Sequence, residues 1–243
     1  MRGDAGFPVR LRFSKRGKVR FISHRDVARA FERAFRIVAL PLAFTQGFSP
    51  RPKVSFGLAL SVGYESEAEY LDVELTHELD VTALPASLSA ALPEGIDVVA
   101  ATPLADRAPA LQESVTAVEY DVVVAGPDGE AVAIDDVRRR VELALDAPTL
   151  MTTRRRKGRE VVDDVRPLLR AVDVLGSGGS GVLVHLELAT QPSSIRPGEA
   201  VAALGDLLEG RVLRTHQWIE RGGARLEPLE ADPRPRAVEA RAS

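Results

Sequence analysis

Between Ser23 and Pro41 the apolar residues keep to one side of a helix, while on both flanks they alternate as in strands. This switch of period limits the fold more than any other feature of the chain. Val27, Ala30, Phe31, Ala34, Phe35 and Val38 recur at three- and four-residue spacing and form one buried stripe. Ser23 is placed to N-cap the helix, with Asp26 three residues on approximating a capping box. Leu40-Pro41 ends it, because the residue before a proline is pushed out of the helical region. Upstream, Val9, Leu11 and Phe13 alternate with Arg10 and Arg12 as strand one. A tight basic turn over 14–18 and a short extended piece over 19–22 then lead into the helix. Downstream, residues 54–60 read as strand two and Leu71, Val73 and Leu75 mark strand three. Leu84, Leu88, Ala91 and Leu92 mark a second helix, and 96–101 is strand four. The order β-α-β-β-α-β is that of the split βαβ, or ferredoxin-like, unit.

The pattern recurs after a linker over 103–114. Val118, Tyr120, Val122 and Val124 give a strand, and Ile134, Val137, Val141, Ala144 and Leu145 a helical stripe. Residues 150–156 and 159–164 pair as a hairpin across Lys157-Gly158. Residues 166–172 suggest a short helix, 182–189 a strand, 197–209 a helix and 211–219 a final strand. The fold class expected is therefore α+β, with two tandem ferredoxin-like units (9–102 and 115–221) and a basic inter-domain groove. Residues 1–8 read as a loose leader. Residues 222–243, rich in Pro, Arg and Glu and poor in apolar side chains, are expected to be a disordered tail.

Charge is segregated along the chain. Arg10 to Lys53 holds twelve cations against Asp26 and Glu32, whereas from Glu65 to Asp135 the only cation is Arg107. The sequence turns basic again from Arg138 to Arg170, so a net charge of −3 conceals a polarised surface. The chain has no cysteine, which removes disulfides, thiolate metal sites and cysteine nucleophiles. Its four histidines show no metal-ligand spacing, so no metal and no cofactor is expected. With no long apolar run and no signal-peptide pattern, a cytoplasmic protein with no membrane partner is expected.

The cations point to nucleic acid. Arg25, Arg29 and Arg36 lie opposite the apolar stripe of the first helix, with Arg33 nearby. The turn before it carries Lys15, Arg16, Lys18 and Arg20. In the loop over 45–53, Pro50 and Pro52 stiffen a segment that displays Phe48, Arg51 and Lys53, a combination suited to base and phosphate contacts. Arg154, Arg155, Arg156 and Lys157 form the basic tip of the later hairpin. His24, among cations at the helix start, is a candidate general base; the alternative is a histidine simply packed there. Trp218, with His216 and Arg214 on one strand face, could stack a base or fill the core. Gly176 to Gly181 spells G-x-G-x-x-G, but a strand follows it, so it reads as a hairpin loop. Glu65, Glu67 and Glu69 alternate and could gather a cation. Asp72 and Glu74 are expected beside Arg10 and Arg12 as cross-strand pairs.

The segments KRGKVRFISHRDVARAFERA and LPLAFTQGFSPRPKVSFGLALSVGYESEAEYLDVEL resemble the radical-SAM-linked domain family of unknown function. The specific part is Gly47, Phe48, Pro50, Pro52 and Lys53. Where that family often has His between the prolines this chain has Arg51, so no chemistry of that His carries over. The second half is similar through Lys157-Gly158, Asp164-x-Arg166-Pro167 and Arg196-Pro197. More remotely, tandem ferredoxin-like halves with a basic first helix resemble CRISPR repeat-processing RNA endonucleases. The basic residues above, taken with this resemblance, lead to the expectation of an RNA-binding accessory protein without activity of its own. It would present tRNA or rRNA to an RNA-modifying or RNA-processing enzyme in trans, radical-SAM enzymes included. The alternatives are a metal-independent RNA endonuclease using His24 and a protein-docking module with no RNA ligand.

Overall fold

The computed structural model describes residues 6–105, 108–156 and 158–234, and the side chains of Arg155 and Arg156 lie outside that description. The chain is mixed α+β and divides into two units. Among the described residues, the first holds the chain up to Val62, Ala68–Ser114 and everything from Ala224; the second holds Gly63–Glu67 and Val115–Gly223. No helix among the described residues is long and apolar enough to cross a membrane.

In the first unit, β1 (Phe7–Lys15) leads through a 3-10 turn (Gly17–Phe21) to α1 (His24–Ile37), followed by β2 (Val54–Phe56), β3 (Glu65–Leu75), α2 (Leu84–Ala91) and β4 (Ile96–Pro103). β3 begins in the second unit and continues in the first. The strand order is β4-β1-β3-β2. The helical stripe is buried as its period dictates, with Val27, Phe31, Ala34 and Phe35 inside. Phe31 meets Phe13 edge-on at 4.8 Å between ring centroids, joining α1 to the sheet. Leu11, Leu71, Leu75, Leu88 and Ile96 complete this core.

Three expectations for this unit are corrected. Residues 19–22 are largely 3-10 and not extended. Strand two stops at Phe56, where the N–H of Gly57 still reaches the Tyr70 carbonyl at 2.9 Å and the ladder then ends. Within residues 103–114, α3 (Leu111–Ser114) buries Leu111 against Ala68 and Tyr70. The expected disordered tail carries regular structure over 224–231. Ala224–Leu226 forms a strand and Pro228–Ala231 a short helix. Arg10 donates to the Pro228 carbonyl at 2.9 Å and Arg12 pairs with Glu227 at 2.8 Å, so two charges on β1 hold the segment. A low apolar content did not predict this, because the anchors lie at the opposite end of the chain.

The second unit runs β5 (Ala117–Ala125), α4 (Ile134–Asp146), β6 (Met151–Arg156), β7 (Arg159–Asp164), β8 (Leu169–Gly178), β9 (Gly181–Ala189), α5 (Pro197–Ala203) and β10 (Leu208–Arg221). The strand order is β10-β5-β9-β8, and β6–β7 form a separate two-stranded hairpin. The expected helix over 166–172 is a 3-10 turn (Arg166–Leu168) that opens into β8. Arg166 fixes that turn by donating to the carbonyl of Leu145 at the end of α4 and to that of Leu169. The glycine run is the tight connection between β8 and β9, with Gly179 in the left-handed region at φ 64°.

Candidate nucleic-acid interface

Ser23 begins α1 with a reciprocal cap. Its hydroxyl accepts the Asp26 N–H at 3.2 Å, while the Asp26 carboxylate accepts the Ser23 N–H at 3.4 Å. The Ser23 hydroxyl also donates to the Asp26 carboxylate at 2.6 Å, and that hydrogen bond holds the Asp26 carboxyl below its ordinary range. Around this helix start Arg16, Lys18, Arg25 and Arg29 are exposed. Arg20 is half-buried, its guanidinium 4.7 Å from the Phe21 ring centroid. Arg29 lies 3.5 Å from Asp26, with both groups in solvent. Such a surface pair is worth little, and leaves Arg29 available to a stronger anion.

Lys15 differs from its neighbours. Alternation along β1 places it in series with Val9, Leu11 and Phe13, on the core face, and only 3% of it is exposed. Its ammonium donates to the carbonyls of Arg20 and Ile22 at 3.1 and 3.3 Å. Burial lowers its pKa, and the charge of Glu69 partly opposes that. Glu69 stands in series with Leu71, Val73 and Leu75 and is 8% exposed. The two line a narrow cleft of about 20 Å³, room for little more than a water molecule, together with Phe13, Phe56 and His24. His24 itself is exposed at the rim, its ring edge-on to Phe56 at 4.9 Å. Glu69 was legible only as one of three alternating carboxylates; the signal missed was its register with the leucines of the core face.

The loop over 43–53 folds back on itself as a finger. Lys53 N–H reaches the Ala43 carbonyl and Thr45 N–H the Arg51 carbonyl, each at 2.9 Å. Its base is clamped to β3 through Ala43 N–H to the Glu74 carbonyl and Glu74 N–H to the Lys53 carbonyl. Gly47 turns the tip at φ 131°, a conformation that favours glycine. Phe48 beside it is fully exposed, and Arg51 is exposed too. Lys53 instead pairs with Glu74 at 2.7 Å, so it is the least available cation of the finger. Of the expected cross-strand pairs, Arg10–Asp72 forms at 2.7 Å, whereas Arg12 and Glu74 turn to Glu227 and Lys53.

In the second unit Arg154 is 5% exposed, so it is not a displayed cation. It donates to the Ser194 carbonyl at 2.6 Å and lies near Glu199 and Asp163. The side chains of Arg155 and Arg156, and Lys157 altogether, lie outside the described residues. Arg214, His216 and Trp218 do not share a face. A bulge at Thr215 sets Arg214 opposite Tyr120 but His216 opposite Glu119. Arg214 is therefore buried against Tyr120, while His216 and Trp218 stack at 5.3 Å on the other face. Glu119 accepts the Trp218 indole N–H at 2.8 Å and lies 3.1 Å from His216 Nδ1. Trp218 is half-buried and so is not a core residue. Among the described residues, no three His, Asp or Glu side chains converge as a metal-holding group.

A family model described as an uncharacterized protein conserved in bacteria, DUF2344, matches residues 9–197. No curated protein matches the sequence. Among solved structures, a chain in the crystal structure of a Cbf5-Nop10-Gar1 complex is similar at a TM-score of 0.52 and 12% identity, over 88% of this chain and 50% of that one. A chain in the structure of an H/ACA RNP bound to a substrate RNA containing 2'-deoxyuridine gives 0.44 and 11%, over 88% and 48%. The chain thus spans about half the length of these two solved chains, and the likeness to the first speaks for the fold alone. The family match covers most of the sequence, and the chain belongs to that bacterial family.

Proposed function

With that membership as the premise, we propose that the chain is an RNA-binding protein whose first unit carries the principal contact surface. One observation carries this: exposed Arg16, Lys18, Arg25 and Arg29 surround the start of α1, in the same unit as a braced finger that ends in a fully exposed phenylalanine. Cations on a rigid scaffold hold phosphates, and an exposed ring on a stiff loop stacks a base without sequence preference. Arg20 and Arg51 extend the surface, and Arg155, Arg156 and Lys157 are proposed as phosphate contacts of the second unit. The strand orders β4-β1-β3-β2 and β10-β5-β9-β8 support a reading of both units as ferredoxin-like, the second with the β6–β7 hairpin inserted. The RNA is proposed to be a tRNA or rRNA presented to a modifying or processing enzyme. That enzyme is proposed to be of the radical-SAM class, on the sequence resemblance above. A chain without cysteine brings no thiolate to an iron–sulfur cluster, so such chemistry would belong to the partner.

The test is crosslinking of cellular RNA, followed by affinity across a salt series. Each phosphate neutralised on a single strand contributes a log–log slope of about −0.7. A slope worth several phosphates, made shallower in an Arg16→Ala/Lys18→Ala/Arg25→Ala variant, is expected. No crosslinked RNA and no salt-dependent binding would defeat the reading. A protein partner that survives nuclease treatment would then favour a docking module.

A further inference from the structure

β1 pairs with one edge of β4, and among the described residues no strand pairs with the other. Such an edge presents a row of N–H and C=O groups and invites another strand. Its far end is closed by Ser89 of α2, whose hydroxyl accepts the Val98 N–H at 2.9 Å and donates to the Val98 carbonyl at 3.2 Å. At the near end the chain itself returns. The Arg234 N–H reaches the Pro103 carbonyl at 2.8 Å and the Ala105 N–H the Asp232 carbonyl at 3.0 Å, which sets Pro233 antiparallel to Leu104. A groove of about 1000 Å³ adjoins this edge, lined by Ala101, Thr102 and Pro103 and by Glu78, Leu79 and Asp80 of the loop before α2.

Alternation fixes what faces the groove. In an antiparallel pair every second residue turns its N–H and C=O toward the partner. Leu104 turns toward β1, its N–H on the Pro8 carbonyl at 2.8 Å, whereas Pro103 and Ala105 turn outward. Ala101 therefore turns outward as well. On the returning segment Asp232 and Arg234 face β4, so Pro233 faces away. The sequence continues as Pro235-Arg236-Ala237-Val238, outside the described residues. In the same register Pro235 falls opposite Thr102, Arg236 opposite Ala101, and Val238 level with the exposed Val99. Both prolines then stand where a strand N–H would point away from β4, the place in which a missing donor costs nothing. Arg236 brings an N–H to the position that can use one. It also shares a strand face with Arg234, which reaches Glu78 at 3.9 Å, and Asp80 adds a second carboxylate to that wall.

We propose that residues 235–238 add to the outer edge of β4 as an antiparallel strand along this groove. The occupant is the chain's own segment, because it enters already hydrogen-bonded at Arg234, its prolines fall on the outward positions and its arginine meets the acidic wall. The added strand turns the donor-less side of its prolines to solvent and so shuts the edge of the first unit against a strand from another molecule. The proposal goes beyond the RNA-binding reading and does not depend on it.

The experiment is amide hydrogen exchange on the full chain, isotopically labelled. In the wild type the Ala101 and Arg236 amides are expected to exchange slowly and the Ala237 amide fast. The α-protons of Thr102 and Pro235, in a non-hydrogen-bonded pair, are expected to give a cross-strand contact. Arg236→Pro removes the donor that faces β4 and is expected to speed exchange at Ala101 about tenfold or more. Pro235→Ala adds a donor that faces solvent and is expected to leave Ala101 unchanged. Fast exchange at Arg236 in the wild type, or equal exchange at Ala101 in all three proteins, overturns the proposal. Protection of Ala101 that grows with protein concentration also overturns it, by putting the strand of a second copy in the groove.

Discussion

Arg10 and Asp72 meet across β1 and β3 in a two-pronged pair. Nε donates to Oδ1 at 2.7 Å and Nη2 to Oδ2 at 2.8 Å, with the arginine completely buried. The remaining Nη1 holds the Pro228 carbonyl, so one guanidinium joins two strands and the C-terminal segment. Removing only the acid leaves a buried cation without its partner. Asp72→Ala is expected to cost about 3–5 kcal/mol in urea unfolding, while Arg10→Met/Asp72→Leu costs far less. Hydrogen exchange over 224–234 should speed up in Arg10→Met/Asp72→Leu, which removes the donor to the Pro228 carbonyl. Unchanged exchange there would show that Arg10 does not anchor the segment.

Lys15 gives the chain a pH dependence of known sign. Burial lowers its folded pKa below 10.5, so between that lowered value and 10.5 the unfolded chain binds more protons than the folded one. Stability contributed by this group therefore rises with pH across that interval and is flat below it. Urea midpoints taken from pH 7 to 10 should climb more steeply in the wild type than in Lys15→Met. Parallel curves would mean that the lysine is not held as a buried cation.

Helix α1 stops before the proline that seemed set to stop it. Ala39 adopts φ 51°, and the Leu40 N–H returns to the Phe35 carbonyl at 2.9 Å, which closes the helix with an alanine in a left-handed position. A Cβ there is strained by about 1–2 kcal/mol, part of which glycine recovers after its own entropy loss. Ala39→Gly is expected to stabilise the fold by roughly 0.5–1 kcal/mol. A lower thermal midpoint for this variant would count against the turn.

Phe48 has no packing to lose. Phe48→Ala is expected to change stability by less than about 0.5 kcal/mol. In the same variant, affinity for single-stranded RNA should fall by about 1–3 kcal/mol, as one stacked base would require. Equal RNA affinity in the two proteins would remove the finger from the contact surface.

Local chemistry was legible along the chain. The cap at Ser23, the buried stripe of α1, the pairing of β6 with β7 and the strand after the glycine run each follow from residues within a turn or two of one another. Registers and anchors were not. The strand over Leu169–Gly178 has weak alternation of its own, and forms because β9 offers it a partner. Among the site residues, the exposure of Arg16, Lys18, Arg25 and Arg29 agrees with their places in a turn and on a polar helix face. Lys15 and Arg154 are buried despite lying in basic runs.

The sequence by itself determined most of the longer helices and strands, where α1 begins and where the cations are concentrated, because period and capping are short-range effects. Only the tertiary structure decided which charges face inward and which segments are tied down. Glu69 joins Lys15 in a cleft because two strands and a turn close around them. The bulge at Thr215 separates Arg214 from Trp218 because β5 sets the register. The segment over 224–234 is tied down because Arg10 and Arg12, far away in sequence, donate to Pro228 and Glu227. Each of these depends on a neighbour that only folding supplies.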